Sequence, residues 1–131
     1  MKKIECGQVR NCVVSVPGSK SYTHRSLIAA ALADGVCELS NCLDSEDTRL
    51  TRRALSSMGI VIEERDGVVV VYGTRGELSA CSEPIYLGNS GTSMRLLAGV
   101  AAIGKGVYTL TGTERMAMRP AADLLDGLKQ L

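Results

Sequence analysis

The chain has 131 residues, which is enough for one ordinary hydrophobic core and makes a single domain the simplest expectation. Its 15 Lys and Arg residues against 14 Asp and Glu give a formal net charge of +1, so no strong overall field points to a nucleic-acid binder. Four Tyr, no Trp and no Phe mean that the core must be aliphatic and that stacking platforms for bases are not expected.

The cysteines and the apolar runs indicate the cellular compartment in which the protein is found. The chain has five cysteines, an odd number with no Cys-x-x-Cys pair, at positions 6, 12, 37, 42 and 81. This is typical of small buried side chains in a reducing compartment. No apolar run suits a signal peptide or is long enough to span a bilayer. We therefore expect a cytoplasmic protein with no membrane partner.

The first half of the chain predicts a helix, a strand, a second helix and a hairpin. A β-prone run at 13–16 ends at a Pro-Gly pair, after which Ser21 can cap a helix that Gly35 closes. A strand over 36–39 follows. Asp44 to Asp47 supplies caps and first-turn acids for the second helix.

The second helix has an apolar stripe of Leu50, Ala54, Leu55 and Met58, and Gly59 ends it. Two β-prone runs, 60–65 and 68–72, then flank Asp66-Gly67, which is the strongest short-range signal for a hairpin.

The second half predicts a similar order without the hairpin. A polar loop over 73–83 leads to a short strand at 84–87, a helix at 92–103 and a strand at 107–110. A last helix begins near Pro120, because proline suits the first helical position. We expect its apolar stripe to be buried; the stripe consists of Leu124, Leu125, Leu128 and Leu131.

An internal repeat explains this order. Residues 21–28 resemble 91–98, with Arg25 and Arg95 in equivalent places, 36–39 match 107–110, and 54–58 match 127–131. Repeats of this length indicate one supersecondary unit packed with copies of itself. We predict a two-layer α+β fold with a first unit over 17–72 and an incomplete second unit over 84–131. The absent second hairpin suggests a piece of a longer protein.

Residues 17–25 combine a tight turn with cations at the start of a helix. Gly18 permits the turn, Lys20 and Ser21 follow it, and Arg25 lies one helical turn after Ser21. Free N–H groups, a hydroxyl, an ammonium and a guanidinium together favour an anion. A P-loop is excluded, because Ser19 precedes the lysine and Val14 stands at the upstream glycine position. A capped helix with solvated cations is the structural alternative.

Two further segments have the same character. Residues 87–95 place glycines around Asn89 at a strand-to-helix corner, followed by Thr92 and Arg95. Arg119 stands directly before a helix, where a guanidinium suits phosphate or carboxylate. An ordinary corner and an exposed arginine are the structural alternatives. Together the three segments predict a small ligand, or two, with several negative charges.

The other titratable residues give weaker signals. His24 is the only histidine, and a helix-packing or surface position is more common for such a residue than a direct role. Asp47 is an acid of the helix start that can also orient a nearby cation. No His, Cys and Asp cluster has the spacing of metal ligands, so no metal is expected.

The three segments resemble the signatures of the 5-enolpyruvylshikimate-3-phosphate synthase family, also called 3-phosphoshikimate 1-carboxyvinyltransferases. The match comprises PGSKSYTHR at 17–25, LGNSGTSMR at 87–95 and Arg119-Pro120, with LDSEDTR at 43–49 between them. The resemblance covers nearly the whole chain in the family's order. It implies that the chain is part of the N-terminal domain of a two-domain enolpyruvyl transferase with its active site between the domains.

The resemblance also implies an activity and roles. The family transfers the enolpyruvyl group of phosphoenolpyruvate to the 5-hydroxyl of shikimate 3-phosphate, releasing phosphate, on the route to chorismate and aromatic amino acids. Lys20 is then the catalytic candidate and contacts both ligands, and Ser21 and Arg25 hold shikimate 3-phosphate. The phosphoenolpyruvate side consists of Asn89, Gly91, Thr92 and Arg119, and the supporting residues are Asp47 and Arg95. No metal or cofactor is implied.

The chain departs from the family in two ways. Leu96 stands where the family usually has proline, which could change the helix start. Family members are also much longer, so the general base and several other ligands of phosphate lie outside these residues. By resemblance, residues 1–16 pair with the absent half of the enzyme. We therefore expect no turnover by the chain alone.

Two alternatives remain open. The related UDP-N-acetylglucosamine enolpyruvyl transferases share the chemistry, but they have a Lys-Asn signature where this chain has Lys20-Ser21. A non-catalytic anion-binding fragment, or one subunit of a split enzyme, is the alternative from another class.

Overall fold

The computed structural model describes residues 2–3, 5, 7 and 11–131. The helices are α1 (Lys20–Leu32), α2 (Glu46–Ser57), α3 (Gly91–Ile103), α4 (Glu114–Ala117) and α5 (Ala122–Leu128). The strands are β1 (Asp34–Leu39), β2 (Val61–Arg65), β3 (Val68–Thr74), β4 (Ile85–Tyr86) and β5 (Leu110–Thr111). The predicted pairing of 1–16 with the absent half falls partly on residues outside the described ones, and it stays a prediction. Residues 11–16 are described and form no strand.

The start of α1 differs by two residues from the prediction. The N-cap is Ser19, whose hydroxyl accepts from Tyr22 N–H, and not Ser21. Ser19 still has an extended backbone, whereas Lys20 is already helical, so Ser21 lies in the first turn. Ala33 ends the helix before Gly35, which lies in β1. The shift places the Lys20 side chain on the helix itself.

Helix α2 follows its sequence signals closely. Ser45 and Thr48 form a reciprocal capping box, which satisfies two backbone N–H groups at the helix start. The stripe predicted to face the core is buried throughout, and its members are Leu50, Ala54, Leu55 and Met58.

The predicted hairpin of β2 and β3 is confirmed, and β3 is the central strand of a three-stranded antiparallel sheet in the order β1-β3-β2. Asp66 and Gly67 both have positive φ, as a type I′ turn requires. Helices α1 and α2 pack on one face of this sheet, so the first unit is a two-layer structure. The core between the layers is aliphatic, as expected, and includes Leu27, Ala31, Leu55, Met58, Val69 and Val71.

The second unit differs more from its prediction. Strand β5 has two residues and pairs in parallel with β4, while Val107 is 78% exposed and lies outside any strand. A short helix that the sequence analysis missed, α4, starts after the Thr113 cap. Helix α5 begins at Ala122 rather than at Pro120.

The predicted burial of the α5 leucines is wrong for this chain. No residue of α5 is buried, and Leu125 and Leu131 are exposed. Leu124, Leu125 and Leu128 instead line an open apolar groove of about 510 Å³ with α3 and α4. Helix α5 packs mainly on α3, whereas α2 of the first unit contacts α1, α3 and two strands. The hairpin that buries α2 has no counterpart beside α5 in the described chain.

Candidate functional site

A polar cleft of about 640 Å³ lies where the N-terminal ends of α1 and α3 face the start of α2. All nine residues predicted for the site line it, together with Leu96: Lys20, Ser21, Arg25, Asp47, Asn89, Gly91, Thr92, Arg95 and Arg119. The structure therefore brings the three sequence segments together. None of the predicted residues lies elsewhere.

Lys20 and Asp47 form an ion pair on the floor of the cleft. Lys20 Nζ lies 2.8 Å from Asp47 Oδ2, and the side chains are 48% and 31% exposed. The hydrogen bond from Lys20 holds the pKa of Asp47 below its ordinary value, and the Ser90 hydroxyl adds to the same effect. The pair fixes the ammonium at the cleft while leaving it open to a ligand.

The Arg25 side chain is fixed through its Nε atom, while its terminal nitrogens face the cleft. Its Nε donates to the carbonyl of Ser21 at 3.1 Å, and its guanidinium lies 5.0 Å from the ring centroid of Tyr22. Among the described residues, no partner is recorded for its terminal nitrogens. A side chain fixed in this way presents two parallel N–H donors to a phosphate or carboxylate.

The corner before α3 is built around two glycines. Gly88 has φ +54°, which turns the chain after β4. At Gly91 an added Cβ would meet the tips of two arginine side chains, Arg119 Nη1 and, at 3.0 Å, Arg95 Nη1. Close approach of two guanidinium groups to the start of a helix makes this corner suitable for an anion.

Arg95 connects the corner to the segment that carries Arg119. It donates from Nη1 to the Gly91 carbonyl at 3.2 Å and from Nη2 to the Pro120 carbonyl at 3.0 Å. Arg25 makes the equivalent bond to Ser21, four residues before it, so the internal repeat extends to the hydrogen bonds.

A buried polar chain lies behind the cleft, and the sequence analysis did not identify it. His24 Nδ1 is 2.9 Å from Thr51 Oγ1, which is 2.8 Å from Ser93 Oγ, which is 2.7 Å from Ser90 Oγ. All four residues are buried. A usable signal was present, since His24, Thr51 and Ser93 lie at helical spacing from the core residues Leu27, Leu55 and Leu97.

His24 is thus a packing residue, one of the two alternatives that the sequence left open. Burial lowers the pKa of His24, with Asp47 acting in the opposite direction and Lys20 in the same one. Its Nε2 has no partner among the described residues.

The electrostatics of the cleft favour anions. Four cationic side chains and a single carboxylate line it. Two 13-residue helices, α1 and α3, begin at its edge, and their N–H groups and dipoles add positive potential. In the part of the chain that the structure describes, no group of three or more His, Cys, Asp or Glu could hold a metal ion. No helix of those residues is long and apolar enough to cross a membrane.

Fold and cleft define a two-layer α+β unit with four cationic side chains around one cleft, as expected of a domain of the enolpyruvyl transferase class. A family profile described as "EPSP synthase (3-phosphoshikimate 1-carboxyvinyltransferase)" matches residues 5–131. The chain belongs to this family.

The relatives and the structural neighbours have the same name. The chain is 50% identical over 114 residues to a 3-phosphoshikimate 1-carboxyvinyltransferase of Methanospirillum hungatei, covering 87% of this chain and 26% of the relative. A protein of the same name from Syntrophobacter fumaroxidans is 48% identical over 118 residues, or 90% of this chain and 28% of the relative.

The structure of an EPSP synthase from Acinetobacter baumannii superposes with a TM-score of 0.83 and 36% identity, over 89% of this chain and 27% of that one. The fold is therefore the enolpyruvyl transferase fold. The chain spans about a quarter of the length of the relatives it matches.

Proposed function

We propose that this chain forms part of the substrate site of an enzyme that transfers the enolpyruvyl group of phosphoenolpyruvate to the 5-hydroxyl of shikimate 3-phosphate. The observation that carries the proposal is the single cleft that gathers all nine residues of the three segments. The two substrates carry two phosphates and two carboxylates, and the cleft offers four cations. The proposed location is the cytoplasm.

Shikimate 3-phosphate is assigned to the α1 side of the cleft. Ser21 and Arg25 lie in the first turns of α1, where the Ser21 hydroxyl and the open tip of Arg25 can share one phosphate. Charge-assisted bonds of this kind are about twice as strong as neutral ones. The Arg25 bond to Ser21 keeps these two groups in register.

Phosphoenolpyruvate is assigned to the α3 side. Asn89, Gly91 and Thr92 form the corner, and Arg119 lies against Gly91. Arg95 supports this side through the Gly91 and Pro120 carbonyls. The ligand's phosphate and carboxylate would then face both a helix start and a guanidinium.

Lys20 stands between the two sides and is the catalytic candidate. In the proposed reaction the 5-hydroxyl gives up its proton to a general base and its oxygen bonds to C2 of phosphoenolpyruvate, while a proton adds to C3. The tetrahedral intermediate then loses phosphate from C2 and a proton from C3. Lys20 would stabilise developing negative charge or donate a proton, and Asp47 would orient it.

A calorimetric titration of the chain with shikimate 3-phosphate tests the proposal. We expect binding that Arg25→Gln weakens by about tenfold or more, because one charge-assisted phosphate contact is lost. Arg53→Gln is the matched control, since Arg53 is an exposed arginine of α2 outside the cleft. Equal losses in both variants, or no binding by the unaltered chain, would contradict the proposal.

Titrations of the same purified chain also distinguish the proposed function from its alternatives. Binding of a UDP-sugar in place of shikimate 3-phosphate would favour the related transferase family. Binding without turnover is the result that we expect, since the chain spans about a quarter of its relatives. Turnover by the chain alone would contradict the expectation that further catalytic groups lie outside it.

A further inference from the structure

The buried chain of hydroxyls behind the cleft joins all three helices that supply the site. His24 belongs to α1, Thr51 to α2, and Ser93 to α3, while Ser90 caps α3 at the corner. Ser93 stands at its centre, with Thr51 Oγ1 at 2.8 Å and Ser90 Oγ at 2.7 Å. It also lies 3.3 Å from the backbone carbonyl of Asp47.

We propose that Ser93 is a positioning residue, which fixes the Gly91 corner relative to the Lys20–Asp47 pair through its hydroxyl. Ser90 and Gly91 are adjacent, so the bond from Ser93 to Ser90 restrains the corner directly. The contact with Asp47 restrains the start of α2, which carries the partner of Lys20. This inference rests on the proposed function only for the identity of the ligands.

The contact of Ser93 Oγ with the Asp47 carbonyl favours one donor pattern among the hydroxyls. Each hydroxyl donates once, and the Asp47 carbonyl can only accept. When Ser93 donates toward Asp47 or toward Ser90, it must accept from Thr51. Thr51 must then accept from His24, which places the imidazole proton on Nδ1. The Nε2 atom is left as a bare acceptor, in agreement with its lack of a partner among the described residues.

Burial makes the loss of these hydrogen bonds costly. Ser93, Thr51 and Ser90 have almost no exposed surface. Water therefore cannot easily reach their hydroxyls to replace a lost hydrogen bond. Removal of the Ser93 hydroxyl leaves the Thr51 and Ser90 groups to find new partners. The α3 corner then loses the side-chain hydrogen bonds that connect it to α2 and, through Thr51, to α1.

The experiment compares Ser93→Ala with the unaltered chain in two ligand titrations. We expect affinity for phosphoenolpyruvate to fall by about fivefold to tenfold, while affinity for shikimate 3-phosphate changes by less than about twofold. The reason is that Ser21 and Arg25 lie on α1 and do not contact Ser93. Ser57→Ala is the control, because the Ser57 hydroxyl is exposed and bonds only to the Arg53 carbonyl.

Two readouts do not depend on ligands. Since His24 is the only histidine, a long-range ¹H–¹⁵N spectrum reports its tautomer without assignment. The unaltered chain should show the proton on Nδ1, and Ser93→Ala should show a mixture. Amide exchange at Gly91 and Met94, whose N–H groups bond to the Asn89 and Ser90 carbonyls, should accelerate in Ser93→Ala and remain unchanged in α1.

Each outcome has a defined meaning. Unchanged exchange at the corner together with unchanged ligand affinities would overturn the proposal, and so would equal losses for both ligands. If the unaltered chain binds neither ligand, the proposed function fails, and the exchange and tautomer measurements still decide the role of Ser93. If Ser93→Ala does not fold, Thr51→Val removes one neighbour of Ser93 and should give smaller changes in the same direction.

Discussion

At the scale of single residues, the buried His24 makes a prediction about pH. Burial lowers its pKa below the ordinary value of about 6.5, so the folded chain binds fewer protons than the unfolded one at mildly acid pH. The contribution to stability is complete above pH about 6.5 and is lost as the pH falls from that value toward the folded pKa.

Urea unfolding at pH about 7.5 and about 5.5 measures this effect, with a slope of up to about 1.4 kcal/mol per pH unit between the two pKa values. His24→Gln should flatten the slope, because the amide can still bond to Thr51 and does not titrate. A slope that is the same in both proteins would show that other groups control the pH dependence.

The residue scale also shows where sequence reasoning was strong. Every residue predicted for the site lies in one cleft, because the signatures that carried the prediction are made of the groups that line it. Thr51 and Ser93 were missed because helical spacing shows that a position faces the core but not which polar partners it meets there. Their partners come from other helices, at separations of 27 and 42 residues.

At the scale of elements, two glycines with different backbone conformations allow a matched pair of predictions about stability. Gly67→Ala should destabilise the chain by about 1–2 kcal/mol, since φ is +77° there and no neighbour lies near the added Cβ. Gly99→Ala, in the middle of α3 and equally free of neighbours, should stabilise it by about 0.5–1 kcal/mol.

Thermal unfolding of the two variants measures both effects. Because neither Cβ meets another atom, the difference between them reports backbone conformation alone. Equal effects at the two positions would contradict the turn assigned at Asp66-Gly67.

The elements that were predicted well are those whose sequence signals lie close together in the chain. Helix α2 and the hairpin were predicted well, since a cap, a stripe and an Asp-Gly pair are signals within a few residues of each other. Strand β5 was predicted too long, because its extent depends on β4, which has only two residues to pair with it. The exposure of α5 could not be predicted from its apolar stripe. Such a stripe shows which face of a helix can be buried, but not whether another element packs on that face.

At the scale of the whole molecule, the repeat gives the cleft its form. Two equivalent helices of 13 residues present equivalent arginines, each bonded to the carbonyl four residues before it. The α2 start lies between them and supplies the carboxylate that orients Lys20. Two similar corners thus face one cleft, which is the arrangement that the proposed pair of anionic ligands requires.

The most direct test of this account is a ¹H–¹⁵N spectrum of the chain during titration with shikimate 3-phosphate. We expect the largest shifts at residues 20–25, with smaller ones at 89–95 and Arg119. Addition of phosphoenolpyruvate should then shift the second set further. No shifts at saturating ligand, or shifts confined to the apolar groove at Leu124, Leu125 and Leu128, would contradict the assignment of the cleft as the substrate site.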